Sequence, residues 1–252
     1  MTKSELEMFK HPSGNHLLFN KNRHTYFMDN NRYKIFTSGT TFISKFFPKF
    51  DLETISENYA KKYKMDQKEV KTQWKLKSDD ALLLGNLCHD YMDALLKGDK
   101  LPKPITKKHK ACFGVSKSLL KHLFKDHEYI FSEFGIASPN WKIAGMIDCA
   151  FRKDSTLVLV DWKTSRLINK INTFQTGFTP IEHLDDCNFN HYALQLNLYR
   201  AIIEETDYIK SWFPWIKEVK MIIFHIQKDQ WTPYKIPNMN YEIKRMIKHR
   251  SK

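Results

Sequence analysis

Hydrophobic and polar positions follow two different periods in the first third of the chain. Apolar residues alternate with polar ones from Leu17 to Phe36, broken by Asp29-Asn30-Asn31, and this pattern predicts a β-hairpin. Helical spacing follows, and the predicted helices are a short one that starts at Thr40 or Thr41 and ends at Pro48, then Asp51–Tyr63 and Gln67–Lys77. We therefore expect a lobe made of a hairpin and helices over residues 1–77.

The remaining residues, 78–252, show helical, then alternating, then helical patterns again. A helix is predicted from Ser78-Asp79-Asp80 to Gly98, and after the linker 101–106 a basic helix from Ile105 to Lys125. Strands are predicted at Tyr129–Ala137, Trp141–Arg152, Thr156–Lys163 and Lys217–Ile226, and further helices at Asn188–Glu205 and Asn238–His249, with an irregular segment at Arg166–Asp186. This α-β-β-β-α-β order predicts an α/β fold ending in a basic helix.

Charge and composition narrow the class of partner. The formal net charge is +13, hydrophobic residues make up 42% of the 252 residues, and seven of the 41 basic residues are arginine. No apolar run approaches the roughly 18 residues of a membrane span, and the first residues lack the apolar region of a signal peptide. We therefore expect a cytoplasmic protein that binds nucleic acid and not a membrane. The lysine bias suggests an AT-rich genome such as that of a phage, in which case the location is the host cell cytoplasm.

The four cysteines form no C-x-x-C pair, so we expect no disulfide framework. His109-x-x-Cys112 and Cys187-x-x-x-His191 could make a Cys₂His₂ zinc site, although four unrelated residues are the simpler interpretation.

The apolar strand Thr156–Lys163 ends in an acid and a base two residues apart. Asp161 and Lys163 lie on the same face of that strand, because side chains alternate. A surface ion pair is the simpler interpretation, and other acid-x-Lys pairs occur in the chain. Asp148, however, lies on the neighbouring predicted strand across a tight turn, so the two carboxylates can meet across the sheet. Two carboxylates and a lysine at one sheet end predict a Mg²⁺ site with a water-orienting cation.

Two predicted helices carry further polar residues at helical spacing. His89 lies in an otherwise apolar helix, between Gly85 and Asp93 on one face, where it is either a buried core histidine or a third metal ligand. Gln195 and Tyr199 lie four residues apart and either stabilise a core helix or line a groove for a nucleic-acid strand.

These residues together resemble the RecB-like branch of the PD-(D/E)xK nucleases. The motifs, in chain order, are Gly85-x-x-x-His89, Glu133, Gly145-x-x-Asp148, Asp161-x-Lys163-Thr164 and Gln195-x-x-x-Tyr199. They extend over about residues 80 to 226. The resemblance implies a restriction-endonuclease-like αβββαβ core at residues 78–252. The segment SGTTFISKFFPKFD also looks like the N-terminal region of small stand-alone RecB-like exonucleases of phages and mitochondria.

The resemblance implies a role for each matched residue. His89, Asp148, Asp161 and the Trp162 backbone carbonyl would bind Mg²⁺ or Mn²⁺, Lys163 would orient or help deprotonate the attacking water, and Glu133 would support the site or a second metal. Residues expected to contact DNA are Gln195, Tyr199 and Thr164, with Lys117 and Lys121 of the basic helix. Some relatives hold an iron–sulfur cluster through cysteines that flank the core. Cys88 and Cys149 lie inside it here, so we expect no cluster.

The function predicted from these features is a metal-dependent DNA exonuclease acting on single strands or strand ends. DNA replication, repair or recombination is the expected setting, with proteins of those processes as partners. The chain has no G-x-x-x-x-G-K-[ST] motor motif and no recognisable base-reading module, which favours backbone tracking from a free end. A flap endonuclease on the same core and a nucleic-acid-binding protein that does not cleave are the alternatives.

Overall fold

One mixed sheet of nine strands organises residues 6–250, which are the residues that this computed structural model describes. The strands are β1 (Leu6–Lys10), β2 (His16–Asn20), β3 (Thr25–Met28), β4 (Asn31–Ser38), β5 (Glu128–Ser138), β6 (Ile143–Lys153), β7 (Thr156–Lys163), β8 (Glu218–Ile226) and β9 (Trp231–Lys235). The helices are α1 (Gly39–Ser44), α2 (Leu52–Tyr63), α3 (Gln67–Lys97), α4 (Lys107–Leu123), α5 (Asn188–Glu205), α6 (Tyr208–Trp212) and α7 (Asn240–Arg250). The strand order is β1-β2-β3-β4-β6-β7-β8-β9, and β5 pairs with β6 outside this path. The predicted α/β fold is confirmed.

Strand β7 lies at the centre of the sheet and is buried on both faces. It pairs antiparallel with β6 and parallel with β8. Leu157 and Leu159 pack into a core with α1, α5 and α7, whereas Val158, Val160 and Trp162 pack into a second core with α3 and α4. This burial on both faces explains the continuous apolar run that precedes Asp161.

The N-terminal region contains more strands than the predicted hairpin. Leu17–Phe36 includes two turns, because the chain reverses at residues 21–24 as well as at Asp29-Asn30, and β1 adds a strand that the pattern did not indicate. Strand β4 then joins the central sheet by pairing in parallel with β6 at Thr37–Ile143 and Ser38–Ala144. Helix α1 is capped by Ser38, whose side chain accepts from the amide of Thr41, and not by Thr40 or Thr41.

Helix α3 is a single helix of 31 residues, so the separate helix start predicted at Ser78 is wrong. Asp66 caps its N-terminus by accepting from the amide of Glu69, and Gly98, with φ of +73°, ends it. Asp79 and Asp80 resemble capping residues in sequence, but they pair with Lys75 and Lys108 on the helix surface. The predicted boundary between residues 77 and 78 falls inside this helix and stays a prediction.

The cysteines differ from the expectation of no disulfide. Cys88 of α3 and Cys112 of α4 form a disulfide, because the two helices pack together and bring both side chains into one core. Cys149 and Cys187 are free and buried. The alternative zinc site is not assembled, since His109 instead bonds to the amide of Thr106 at the start of α4.

The predicted strands and helices after residue 105 are present, with ends that differ by a few residues. The pattern did not indicate the short helix α6 or the edge strand β9, which contains Pro233. No helix within residues 6–250 combines the length and the apolar character that crossing a membrane requires.

Candidate metal centre and active site

Three side chains from α3, β5 and β6 converge beside the central sheet. His89, Glu133 and Asp148 each offer one ligand atom, and these atoms all lie within 4.8 Å of one another. His89 Nδ1 is 3.7 Å from Glu133 Oε1 and 3.6 Å from Asp148 Oδ2. One imidazole nitrogen and two carboxylates form a donor set that fits a divalent cation.

The backbone around Glu133 turns its side chain towards this cluster. Glu133 has φ of +44°, in the left-handed region that a non-glycine residue seldom adopts within a strand. Its neighbours on β5 pair with Cys149 and Ile147 of β6, so Glu133 lies opposite Asp148. Such a conformation costs of order 1–3 kcal/mol and persists where the surrounding structure enforces it. Glu133, a member of the cluster, thus has this strained backbone conformation within strand β5.

The peptide groups of Trp162 hold two of the three cluster side chains. The amide of Trp162 donates to Asp148 Oδ2 at 2.9 Å, and its carbonyl oxygen is 3.0 Å from His89 Nε2. A carbonyl only accepts, so Nε2 carries the proton in this contact and Nδ1 faces the two carboxylates. Direct binding of a metal by the Trp162 carbonyl stays a prediction, since this oxygen is bonded to His89 here.

Asp161 and Lys163 form a buried ion pair beside the cluster. Lys163 Nζ lies 2.7 Å from Asp161 Oδ2 and 4.8 Å from the centre of the Tyr192 ring. Within residues 6–250, Asp161 Oδ2 has no other polar partner. Asp161 lies outside the three-residue set of mutually close ligand atoms. Its role as a metal ligand stays a prediction.

Burial and mutual attraction shift the pKa values of these groups. Burial disfavours a charged His89, but the carboxylates of Asp148 and Glu133 outweigh it and raise the pKa of His89 to about 9. Burial raises the pKa of Asp148, against the attraction of His89 and Lys163, and raises the pKa of Asp161 to about 6. Burial alone would lower the pKa of Lys163, yet Asp161 and Asp148 raise it, so the ammonium stays protonated at neutral pH.

Tyr199 packs against the glycine that precedes Asp148 by three residues. A Cβ atom placed on Gly145 would lie 2.3 Å from Cε1 of Tyr199, so only glycine leaves room for the ring. Gln195 donates a hydrogen bond to the Tyr199 hydroxyl at 3.2 Å. Tyr199 is 4% exposed, and burial raises its pKa. In this arrangement the ring supports strand β6 next to the cluster, and contact with DNA stays a prediction for both residues.

The predicted DNA-contacting residues lie at different distances from the cluster. Thr164 follows Lys163 directly and faces Gly85 of α3, at the edge of the site. Lys117 and Lys121 lie on the exposed face of α4. Within residues 6–250, no hydrogen bond or ion pair connects these two lysines to the cluster.

Two further side chains support the site: Asp93 is indicated in the sequence by its spacing from His89, whereas Tyr192 has no clear signal there. Tyr192, under Lys163, lies one helical turn before Gln195, and that spacing is the only pattern that points to it. Asp93, which shares the helix face of His89, accepts from Ser132 at 2.6 Å and pairs with Lys97, so it anchors β5 next to Glu133.

Comparisons with known proteins leave the family open. No family model matches the chain, and no curated protein matches it. A solved structure described as "Crystal structure of SSO0001" aligns with 84% of this chain and 72% of its own, with 17% sequence identity and a TM-score of 0.31. A TM-score at this level supports no conclusion about the fold or the function.

Proposed function

We propose that this chain is a metal-dependent deoxyribonuclease of the RecB-like branch of the PD-(D/E)xK nucleases, with exonuclease action on single-stranded DNA or strand ends. The observation that carries the proposal is the assembly of His89, Glu133 and Asp148 within 4.8 Å of one another, next to the Asp161–Lys163 ion pair. These five residues come from four separate elements, and their proximity is what a shared catalytic role requires.

The donor set fits a hard divalent cation such as Mg²⁺ or Mn²⁺. His89 Nδ1, Glu133 and Asp148 would hold the ion. Asp161 directly precedes Trp162, whose peptide groups bond to His89 and Asp148. Bound there, the ion would supply positive charge for the phosphoryl transition state and a hydroxide at neutral pH.

Lys163 acts as a fixed positive charge in this proposal and not as a base. Its pKa is raised by Asp161 and Asp148, so the ammonium keeps its proton at neutral pH. Held between Asp161 and the face of Tyr192, it would orient the attacking water and offset charge on the phosphate.

A cleavage assay on linear and covalently closed single-stranded DNA tests the proposal. Both substrates carry the same label, and each is incubated with Mg²⁺, with Mn²⁺ and with EDTA. We expect degradation of the linear strand with either metal, none in EDTA, and little attack on the circle. An enzyme that enters at a free end and follows the phosphate backbone gives this pattern.

The other outcomes identify the rival functions. Rapid cleavage of the closed circle under the same conditions would replace the exonuclease with an endonuclease. If the protein binds both DNAs but cleaves neither with Mg²⁺ or Mn²⁺, the proposed nuclease function is overturned and a nucleic-acid-binding protein remains.

A further inference from the structure

A cleft of about 690 Å³ opens beside the candidate active site, at the point where the chain leaves β7. Residues of α3, α4 and the end of β8 line the cleft. Its lining includes Thr164, Ser165 and Arg166, which follow Lys163 directly. Thr164, which lines the cleft and faces Gly85 of α3, therefore lies at the boundary between the cleft and the site.

The floor of this cleft is apolar and is formed by well-packed residues. Leu84 and the buried residues Cys112 and Ile226 line it. The segment after β7 is held in place because His225, which is 2% exposed, contacts the Ser165 carbonyl oxygen through Nε2 at 2.6 Å. A flat ring or a sugar can bury apolar surface on such a floor, and the volume lies within the roughly 300–1,000 Å³ of ligand sites.

The rim of the cleft carries an excess of positive charge. Four cations line it, Lys77, Lys108, Arg166 and Lys228, against two carboxylates, Asp80 and Asp229. Asp80 pairs with Lys108 at 3.0 Å. In the described part of the chain, no carboxylate lies within ion-pair distance of the other three cations. An apolar floor under unpaired cations suits a ligand that combines aromatic rings with phosphates.

We propose that this cleft binds the nucleotides of a DNA strand adjacent to the phosphate that is cleaved. Bases and sugars rest on Leu84 and Ile226, and phosphates contact Arg166, Lys228 and Lys77. This inference rests on the proposed nuclease function, because that function identifies the ligand as DNA. Thr164 then marks the passage between the cleft and the metal cluster.

Equilibrium binding to the wild-type full-length chain in EDTA tests this cleft without cleavage. The probes are a 5′-phosphorylated thymidine dinucleotide, the same dinucleotide without its terminal phosphate, and inorganic phosphate alone. The cleft variant Arg166→Ala/Lys228→Ala is compared with Lys100→Ala/Lys103→Ala, which removes two exposed lysines outside the cleft.

We expect the phosphorylated dinucleotide to bind more tightly than either other probe. The cleft variant should bind it about tenfold more weakly, and the slope of log affinity against log salt should fall by roughly 1. The control variant should bind within about twofold of the wild type, because its lysines face solvent.

Equal affinities of the two double variants would overturn the proposal. So would inorganic phosphate that binds as tightly as the dinucleotide, because the apolar floor would then have no part. The binding test in EDTA does not depend on cleavage. If the wild type fails to cleave DNA in Mg²⁺ or Mn²⁺, the proposed function is overturned, but the result on binding to the cleft still holds.

Discussion

At the scale of single residues, the peptide group of Trp162 explains how the cluster is ordered. Its amide donates to Asp148 and its carbonyl accepts from His89 Nε2, so one backbone position orients two side chains of the cluster. Partners of this kind orient metal ligands and raise their affinity for the ion. This arrangement favours the proposed role of His89 as a metal ligand over that of a core histidine, and the sequence leaves both interpretations open.

Replacement of His89 separates these two interpretations. We expect His89→Ala to weaken Mn²⁺ binding by at least about tenfold, because one of three close donors is lost, with little change in the midpoint of thermal unfolding. Titration with Mn²⁺ and thermal unfolding in EDTA measure the two effects. His183→Ala, at a half-exposed histidine that pairs with Glu242, is the matched control. Unfolding of the His89 variant together with unchanged Mn²⁺ affinity of its folded fraction would favour the core histidine.

At the scale of elements, the sequence predicts the central strands well and the N-terminal region poorly. Strand β7 and its neighbours have strong apolar or alternating patterns because they are buried on one or both faces. The start predicted at Ser78 fails because Asp79 and Asp80 look like caps while they pair on the helix surface. The site shows the same contrast between residues that a pattern reveals and contacts that it does not. Asp148, Asp161 and Lys163 have strand positions that a period of two reveals, whereas the contacts of Trp162 and Tyr192 depend on packing that no short pattern contains.

The packing of α5 against β6 gives a prediction at this scale. We expect Gly145→Ala to lower the free energy of unfolding by about 1–3 kcal/mol, because the added Cβ would overlap the Tyr199 ring and force β6 or α5 to move. Gly114→Ala is the control, since nothing lies within 4 Å of its added Cβ in helix α4, and it should stabilise by about 0.5–1 kcal/mol. Urea unfolding measures both. Equal stability of the Gly145 variant and the wild type would show that the ring moves without cost and does not support the site.

At the scale of the whole molecule, the net charge of +13 and the position of the unpaired cations favour the proposed binding of a polyanion. Thr164 lies between Lys163 of the proposed site and the cleft, so binding and cleavage would use one continuous path. The rest of the excess charge is spread over exposed helix faces such as that of α4. Such a distribution favours contacts to the phosphate backbone over base reading.

The charge distribution predicts a strong dependence on salt. We expect the affinity for single-stranded DNA in EDTA to fall by about tenfold or more between about 50 and 200 mM salt, because each phosphate contact releases condensed counterions. Fluorescence anisotropy of a labelled oligonucleotide measures it. An affinity that does not change over this range would exclude backbone phosphates as the main contacts.

Parallel assays of DNA cleavage and DNA binding by Asp148→Asn test whether the three-residue cluster is the catalytic site. Asp148 touches both His89 and the Trp162 amide and is the carboxylate that joins the cluster to the strand carrying Lys163. We expect a loss of turnover of at least about a hundredfold on linear single-stranded DNA in Mn²⁺, with binding to the same strand unchanged within about threefold. Asp99→Asn, at an exposed position beyond the end of α3, should keep both. Wild-type turnover in the Asp148→Asn protein would contradict the assignment of the site.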